Sequence, residues 1–202
     1  MPVLPGEQKT VAEQKMLLRQ LATERRSSVR RDEALARSKQ IRERVLALPE
    51  VKSARVVSCY CSFGSEVETH GLIEALAKEG KTVCLPRVDD SQSFMTMYAF
   101  KSLADLKVNS FGFPEPVPES HRKVEAHAID VILAPGLAFD EQCHRLGFGM
   151  AYYDRYISNM PRRVPVIALA FECQLFQEVP VNRRDVIVDK VVTEKRVIER
   201  KG

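Results

Sequence analysis

The chain has 202 residues, 45% of them hydrophobic and 29% charged, which predicts one soluble globular domain over residues 1–202 with a real core. No apolar run approaches the roughly 20 residues of a membrane span, so no membrane partner is expected. Net charge is +4 but uneven, with +6 over residues 1–55 and −2 over the remainder. A basic first third could meet nucleic acid or an anionic small ligand, or could be a solvated helix face.

The N-terminal Met1-Pro2-Val3-Leu4-Pro5-Gly6 lacks the basic and apolar regions of a secretory signal. Cys59, Cys61, Cys84, Cys143 and Cys173 include no C-x-x-C pair, so they read as reduced thiols in a cytoplasmic protein, neither a disulfide frame nor a zinc site.

Two helices are expected first, making residues 10–48 a helical N-terminal region. Over residues 10–25, Val11, Leu18 and Ala22 share a face, with Leu17 and Leu21 beside it. Lys15 and Arg19 are one turn apart at the edge of that stripe. They either hold an anion between them or snorkel from the core rim. Ser27-Ser28 offers a cap for a second helix over about 28–48, with Leu35, Ile41, Val45 and Leu48 on its buried side and Pro49 after its end.

Arg55 to Cys61 reads as a strand, Ser62 to Ser65 as a turn, Thr69 as the cap of a helix reaching Lys78, and Gly80 as its stop. Thr82 to Pro86 is a second strand. Strand, helix, strand in this span is a βαβ unit with an expected right-handed crossover. Ligands in such sheets lie beyond the C-terminal strand ends, which puts residues 62–66 and Arg87 at the site-bearing edge. A further strand covers Phe94 to Phe100. Residues 109–116 read as a loop, since their Gly and prolines oppose regular structure. His121 and His127 are too isolated to argue as metal ligands.

The apolar run Val131-Ile132-Leu133-Ala134 reads as a buried strand. It leads into Pro135-Gly136-Leu137-Ala138-Phe139-Asp140, then Arg145-Leu146-Gly147-Phe148-Gly149-Met150-Ala151-Tyr152-Tyr153-Asp154-Arg155, which should start a helix. A glycine turn entering a helix exposes N–H groups to anions, Arg145 adds a forked donor, and a carboxylate such as Asp154 near phosphate often holds magnesium. Gly-x-Gly after a strand also serves simply as a tight turn, and the pattern is neither a Walker loop nor G-x-G-x-x-G. Val164 to Phe171 is a strand apolar on both faces, Gln174 to Glu178 one helical turn, and Val186 to Thr193 a short last strand. Asp189 interrupts that apolar run. It should be buried with a cation or an N–H network, and magnesium and N–H groups serve equally.

Pro-Gly-Leu-Ala-Phe-Asp, Arg-Leu-Gly-Phe-Gly and Tyr-Tyr-Asp-Arg, taken with Lys15, Arg19, Ser65-Glu66-Val67-Glu68-Thr69 and Val188-Asp189-Lys190-Val191-Val192-Thr193-Glu194, resemble the 5-formyltetrahydrofolate cyclo-ligase family from about Lys15 to Thr193. The resemblance implies an α/β fold, a three-layer domain with a mostly parallel sheet, similar to sugar-phosphate isomerases and CoA transferases. It implies ATP-dependent closure of 5-formyltetrahydrofolate to 5,10-methenyltetrahydrofolate, giving ADP and phosphate. It puts Lys15, Arg19 and Arg145 on ATP phosphates, with Leu146, Gly147, Phe148, Gly149, Met150, Ala151, Tyr152 and Tyr153 forming the nucleotide cradle. Arg145 and Tyr153 are the implied catalytic residues. Cys61, Phe63, Glu66, Phe111 and Tyr153 face the folate, Asp154 and Asp189 hold Mg2+, and the loop aromatics at 109–116 could stack on the pterin.

Two positions depart from the family's pattern: Met150 stands where Gly or Lys is common, and Ala151 where Gly is common. A monomer is expected, with folate and ATP as its small-molecule partners and no nucleic-acid partner. A nucleotide- or RNA-binding protein without folate chemistry, and a sugar-phosphate isomerase, are the competing readings. The acids Glu66, Asp154 and Asp189 argue against the first, and ATP dependence would separate the second.

Overall fold

β-branched runs supply the strands of one eight-stranded sheet. The computed structural model describes residues 9–89, 94–109, 112–117 and 123–201. Its helices are α1 (Val11–Ser27), α2 (Arg31–Ala47), α3 (Pro49–Ser53), α4 (His70–Lys78) and α5 (Tyr152–Ser158). Its strands are β1 (Val56–Ser58), β2 (Thr82–Asp89), β3 (Phe94–Ala99), β4 (Leu106–Val108), β5 (Pro114–Pro116), β6 (Lys123–Val124), β7 (Val131–Ala134), β8 (Ala138–Phe139), β9 (Arg145–Leu146), β10 (Val166–Leu169), β11 (Lys190–Val192) and β12 (Val197–Glu199).

The sheet order is β12-β11-β10-β7-β1-β2-β3-β6. The five central strands β11, β10, β7, β1 and β2 run parallel, and β3, β6 and β12 join antiparallel at the two edges. From β1 the chain builds outward to β2 and β3, then crosses to β7, β10 and β11 on the other side. The reversal point lies between β1 and β7, where the segments leaving the two strands open a crevice.

Alternation along the strands divides the core into two layers. Val57, Val83, Val131, Leu133, Ile167 and Leu169 meet Ile41, Val45, Leu72, Ile73 and Leu76 of α2 and α4. Cys84, Met97, Ile132, Ala134, Val166 and Ala168 meet Tyr152, Tyr153, Tyr156 and Ile157 of α5. The mostly parallel α/β fold with helices on both faces follows the expectation. Each large aliphatic side chain in these layers contributes about 1.5–3 kcal/mol by leaving water. Helix α4 stops at Gly80, whose φ of 80° is the left-handed turn glycine permits.

Several local expectations are corrected. α1 buries only part of its apolar stripe: Ala22 is buried and Leu18 packs beside it, whereas Val11, Leu17 and Leu21 are exposed and the charged Lys15 and Arg26 are buried. The helix lies across the rim of a cavity and turns its cationic stems inward. Leu35 is exposed, and Ser28 closes α1 through Arg25 O instead of capping α2. Pro49 opens α3. Thr69 precedes α4 without capping it, because its hydroxyl donates to Tyr60 O and accepts from Ser62 N. Pro114–Pro116 pairs with Leu106–Val108 as a two-stranded ribbon inside the expected loop. The helical turn expected at 174–178 is a 3-10 turn over Glu172–Gln174. Val186 to Asp189 lies outside any strand, so only Lys190–Val192 of the expected last strand pairs.

Candidate active site

A cavity of about 730 Å³ opens at the C-terminal edge of the parallel strands, at the reversal point between β1 and β7. Tyr60, Cys61, Phe63 and Glu66 reach it from the segment after β1, Pro135 from the end of β7, and Pro86 and Val88 from β2. α1 contributes Lys15 and Arg19, and the stretch from Arg145 to Asp154 lines the opposite wall. Arg87, expected at this edge, turns to the other face of β2 by strand alternation, where it donates to Pro116 O at 3.0 Å and pairs with Glu115 at 3.4 Å.

One end of the cavity is cationic. Arg145 is buried, with Nη2 donating to Asp154 Oδ1 at 2.8 Å and Nη1 to Pro135 O at 3.2 Å. Its Nε has no hydrogen-bond partner among the described residues. Arg19 Nε donates to Gly147 O at 3.0 Å, which fixes α1 against the glycine turn. Lys15 Nζ pairs with the Asp185 carboxylate. Lys15 therefore lines the cavity with its ammonium paired to a carboxylate.

The glycines of the turn have separate reasons. A Cβ on Gly147 would stand 3.1 Å from Arg145 Nη1, so glycine lets the guanidinium lie against the backbone. Gly149 has φ 111°, a conformation side chains rarely adopt. Ala151 has φ 53° and ψ 24°, left-handed at the start of α5 without a glycine. That conformation costs a non-glycine residue about 1–2 kcal/mol, part of which the extra freedom of an unfolded glycine cancels. Ala151→Gly should therefore raise stability by about 0.5–1 kcal/mol, or a few degrees in Tm, with turnover nearly unchanged. A thermal melt in which Ala151→Gly matches or falls below the parent would contradict this.

The other end is aromatic and acidic. Phe63 packs at 5.5 Å from Phe113 and 6.4 Å from Phe148, ring centre to ring centre, giving flat apolar surfaces on which a heteroaromatic ring can lie. Glu66 is buried and accepts the Phe63 N–H at 3.1 Å. Burial pushes its carboxyl up to about 7, against the pull of that N–H and of Arg26. Tyr153 Oη is buried without a hydrogen-bond partner among the described residues, and burial raises its phenol well above the ordinary range. The Arg145 guanidinium lies 5.8 Å from the centre of the Tyr153 ring.

Thus Lys15, Arg19, Cys61, Phe63, Glu66 and the whole run from Arg145 to Asp154 come together around one cavity. Phe111 lies outside the described residues. Asp189 does not join them. It sits at the opposite, N-terminal edge of the sheet, between the starts of β10 and β11, where Val166 N donates to Oδ2 at 2.8 Å and Arg163 Nη2 to Oδ1 at 2.6 Å. The N–H network expected as its alternative is the one present. Its neighbourhood is a separate, smaller cavity of about 280 Å³. The convergence of Asp154 and Asp189 on one metal is corrected by the strand direction alone, since a residue preceding β11 cannot reach the far ends of the strands.

Phe113, one of the loop aromatics expected near the pterin, lines the site, as do Asn182 and Asp185, which had no sequence signal strong enough to single them out. Asp185 accepts from Asn182 N at 2.6 Å as well as from Lys15, so its role depends on a partner 170 residues away in the chain.

Similarity to known proteins agrees with this geometry. The model of the 5-formyltetrahydrofolate cyclo-ligase family matches residues 11–194. The chain belongs to this family. It is 30% identical over 178 residues to the 5-formyltetrahydrofolate cyclo-ligase of Escherichia coli strain K12, covering 87% of this chain and 98% of that protein. The mouse cyclo-ligase is also 30% identical, over 194 residues, covering 92% and 96%. Among solved structures, 5,10-methenyltetrahydrofolate synthetase from Aquifex aeolicus superposes with a TM-score of 0.81 at 33% identity, covering 93% of this chain and 94% of that one. The cyclo-ligase match covers both ends of the cavity, from α1 to the glycine turn and Asp185. No helix among the described residues is long and apolar enough to cross a membrane.

Proposed function

We propose that this cavity is where 5-formyltetrahydrofolate and ATP meet, and that the protein closes the first to 5,10-methenyltetrahydrofolate while converting the second to ADP and phosphate. The observation that carries the reading is that one cavity is lined by two unlike sets of side chains. Lys15, Arg19 and Arg145 supply cations for a polyphosphate, while Phe63, Phe113 and Glu66 supply the faces and carboxyl that suit a pterin. A nucleic-acid groove has no use for a buried carboxyl at its centre, and an isomerase has no use for a triphosphate.

The chemistry asks mainly for positioning and charge neutralisation. The formyl oxygen attacks the γ-phosphate, the neighbouring folate nitrogen attacks the resulting phosphorylated imine, and phosphate leaves. No protein nucleophile is required. Arg145, pinned by Asp154 and Pro135 O, keeps its Nε free of protein partners for a phosphate oxygen. Tyr153 and Glu66 orient the folate against the phosphate end.

Magnesium fits this site through Asp154 and not through Asp189. Asp154 uses only Oδ1 for Arg145 and Val186 N, and Asp185 only Oδ2 for Lys15 and Asn182 N. Their second oxygens take no hydrogen bond among the described residues, and both carboxylates border the cavity. A divalent cation held there with water and phosphate oxygens would neutralise charge on the nucleotide. The five cysteines are all free thiols, which supports a cytoplasmic location.

The deciding experiment mixes the protein with 5-formyltetrahydrofolate, ATP and magnesium and follows the methenyl chromophore. Its appearance only with ATP present is the expected result, and a product formed without ATP consumption would overturn the reading. Arg19 gives a finer test of the phosphate end. A charged hydrogen bond contributes about 1.5–3 kcal/mol, so Arg19→Ala should weaken ATP binding roughly ten- to a hundredfold while folate affinity, measured separately, holds. Unchanged ATP affinity would return Arg19 to a purely structural role against Gly147.

A further inference from the structure

At the folate end of the cavity lies a second arrangement that the cyclisation chemistry does not use. Cys61 Sγ is 3.4 Å from His70 Nε2, and His70 Nδ1 is 3.0 Å from Glu68 Oε1. Glu68 is itself held by the Gly71 N–H at 3.1 Å, and Ser62 Oγ lies 3.5 Å from the same Nδ1. Nucleophile, base and orienting acid in contact, in that order, are the geometry of an activated thiol.

The local chain makes this arrangement. Cys61 leaves the end of β1 into the cavity wall, and His70 is the first residue of α4, folded back by the Thr69 bonds to Tyr60 O and Ser62 N. The imidazole therefore lies beside the thiol across a tight loop. The hydrogen bonds to the thiol and to the Glu68 carboxylate raise His70 to about 10, so the ring can hold the proton that leaves the thiol. Arg42 reaches the same end of α4, where a Cβ on Gly71 would meet its Nη1. Thiols beside such cationic groups are the reactive ones.

We propose that Cys61 is a modification site, an activated thiol that forms a mixed disulfide with small disulfides entering the cavity and so closes it to substrate. The sulfur of Cys61, its proton passed to His70, attacks one sulfur of the incoming disulfide. The new S–S bond forms as the old one breaks, and the departing thiolate takes the proton back from the imidazolium. One thiol and one disulfide enter, and one disulfide and one thiol leave.

The other cysteines serve as controls inside the same molecule. Cys59, Cys84 and Cys143 are fully buried, and burial pushes their thiols up, to about 12 for Cys84 and about 11 for Cys143, whereas Cys61, itself only 7% exposed, lines the cavity. Cys173 is part-exposed, but among the described residues no imidazole is bonded to it, and burial raises it too. Cys61 alone of the five combines a cavity wall with a bonded imidazole.

The closing effect on turnover rests on the proposed folate site, whereas the reactivity does not. The test incubates the folded protein with oxidised glutathione at neutral pH and maps each cysteine by mass spectrometry. Cys61 should be glutathionylated at least about tenfold faster than Cys173, and His70→Asn should slow Cys61 about tenfold or more with Cys173 unaffected. First modification at Cys173, or a Cys61 rate indifferent to His70→Asn, would overturn the proposal. Should His70→Asn fail to fold, Glu68→Gln is read the same way, and the comparison within the parent protein needs no variant. Full modification at Cys61 should stop methenyl formation, with recovery on dithiothreitol. Retained turnover would refute the closure. A parent protein with no turnover at all would refute the proposed function, leaving the thiol to the labelling rates.

Discussion

Replacing Arg145 with methionine is expected to reduce turnover by about a thousandfold and to destabilise the fold at the same time. The side chain is 3% exposed and its partner Asp154 16% exposed, at 2.8 Å. Removing one member of a buried pair leaves the other charge uncompensated and costs about 3–5 kcal/mol. The catalytic loss comes from a different source. A fixed cation that neutralises charge on a transferring phosphoryl group contributes about 10³–10⁵ in rate, and Lys15 and Arg19 can replace only part of it. Methionine keeps the apolar bulk, so the melting temperature and the turnover number can be read separately. Arg145→Lys restores charge without the fork that spans Asp154 and Pro135 O, and intermediate turnover is expected. Normal phosphate release by Arg145→Met would remove Arg145 from the mechanism. Asp154→Asn tests the metal at the same place. It should raise the magnesium concentration needed for ATP binding, whereas Asp189→Asn, remote from the cavity, should leave that requirement where it was.

The second large effect is a pH dependence. Glu66 titrates near 7 when folded, against an ordinary value of 4.5, because burial disfavours its charge. A carboxyl with a raised folded value holds its proton more tightly in the folded state than in the unfolded one. Between about 4.5 and 7 the folded protein therefore binds more protons, and stability falls as pH rises through that window. At about 1.4 kcal/mol per unit, the full loss is about 3 kcal/mol, complete above pH 7. Glu66→Gln keeps an acceptor for the Phe63 N–H and removes the ionisation. Its stability relative to the parent should rise from about zero at pH 4 to about 3 kcal/mol at pH 8. His70 contributes in another window. Its folded value is raised from 6.5 to about 10, so its stabilisation is present below 6.5 and lost as pH rises through 10. Urea unfolding of the two proteins at a series of pH values separates the terms. A constant difference across pH 4 to 8 would mean that Glu66 keeps its ordinary titration in the folded protein.

At neutral pH this carboxyl is close to half protonated, which fits a group beside a folate. As an acid it donates to a ring or amide acceptor, and as a base it accepts from an N–H. The aromatic cluster of Phe63, Phe113 and Phe148 lines the same cavity as the carboxyl.

Local chemistry written in consecutive residues determined much of this protein by itself. The run Val131-Ile132-Leu133-Ala134 had to be a buried strand because no residue in it is polar. Gly80 had to end a helix, and the stretch Arg145 to Asp154 brings its own arginine, glycines and carboxylate within reach of one another. Tertiary structure decided what depends on direction and distance. Asp154 and Asp189 looked equivalent along the chain, but one follows the glycine turn at the C-terminal strand edge and the other precedes β11 at the opposite edge. Lys15 and Arg19 looked like the edge of an apolar stripe, yet α1 crosses a cavity, so Lys15 is buried and paired within it while Leu17 and Leu21 stay exposed. Asp185 gained its place only when the fold set it against Lys15. A local pattern fixes which groups a segment carries, but strand direction and helix placement fix which groups can share a charge.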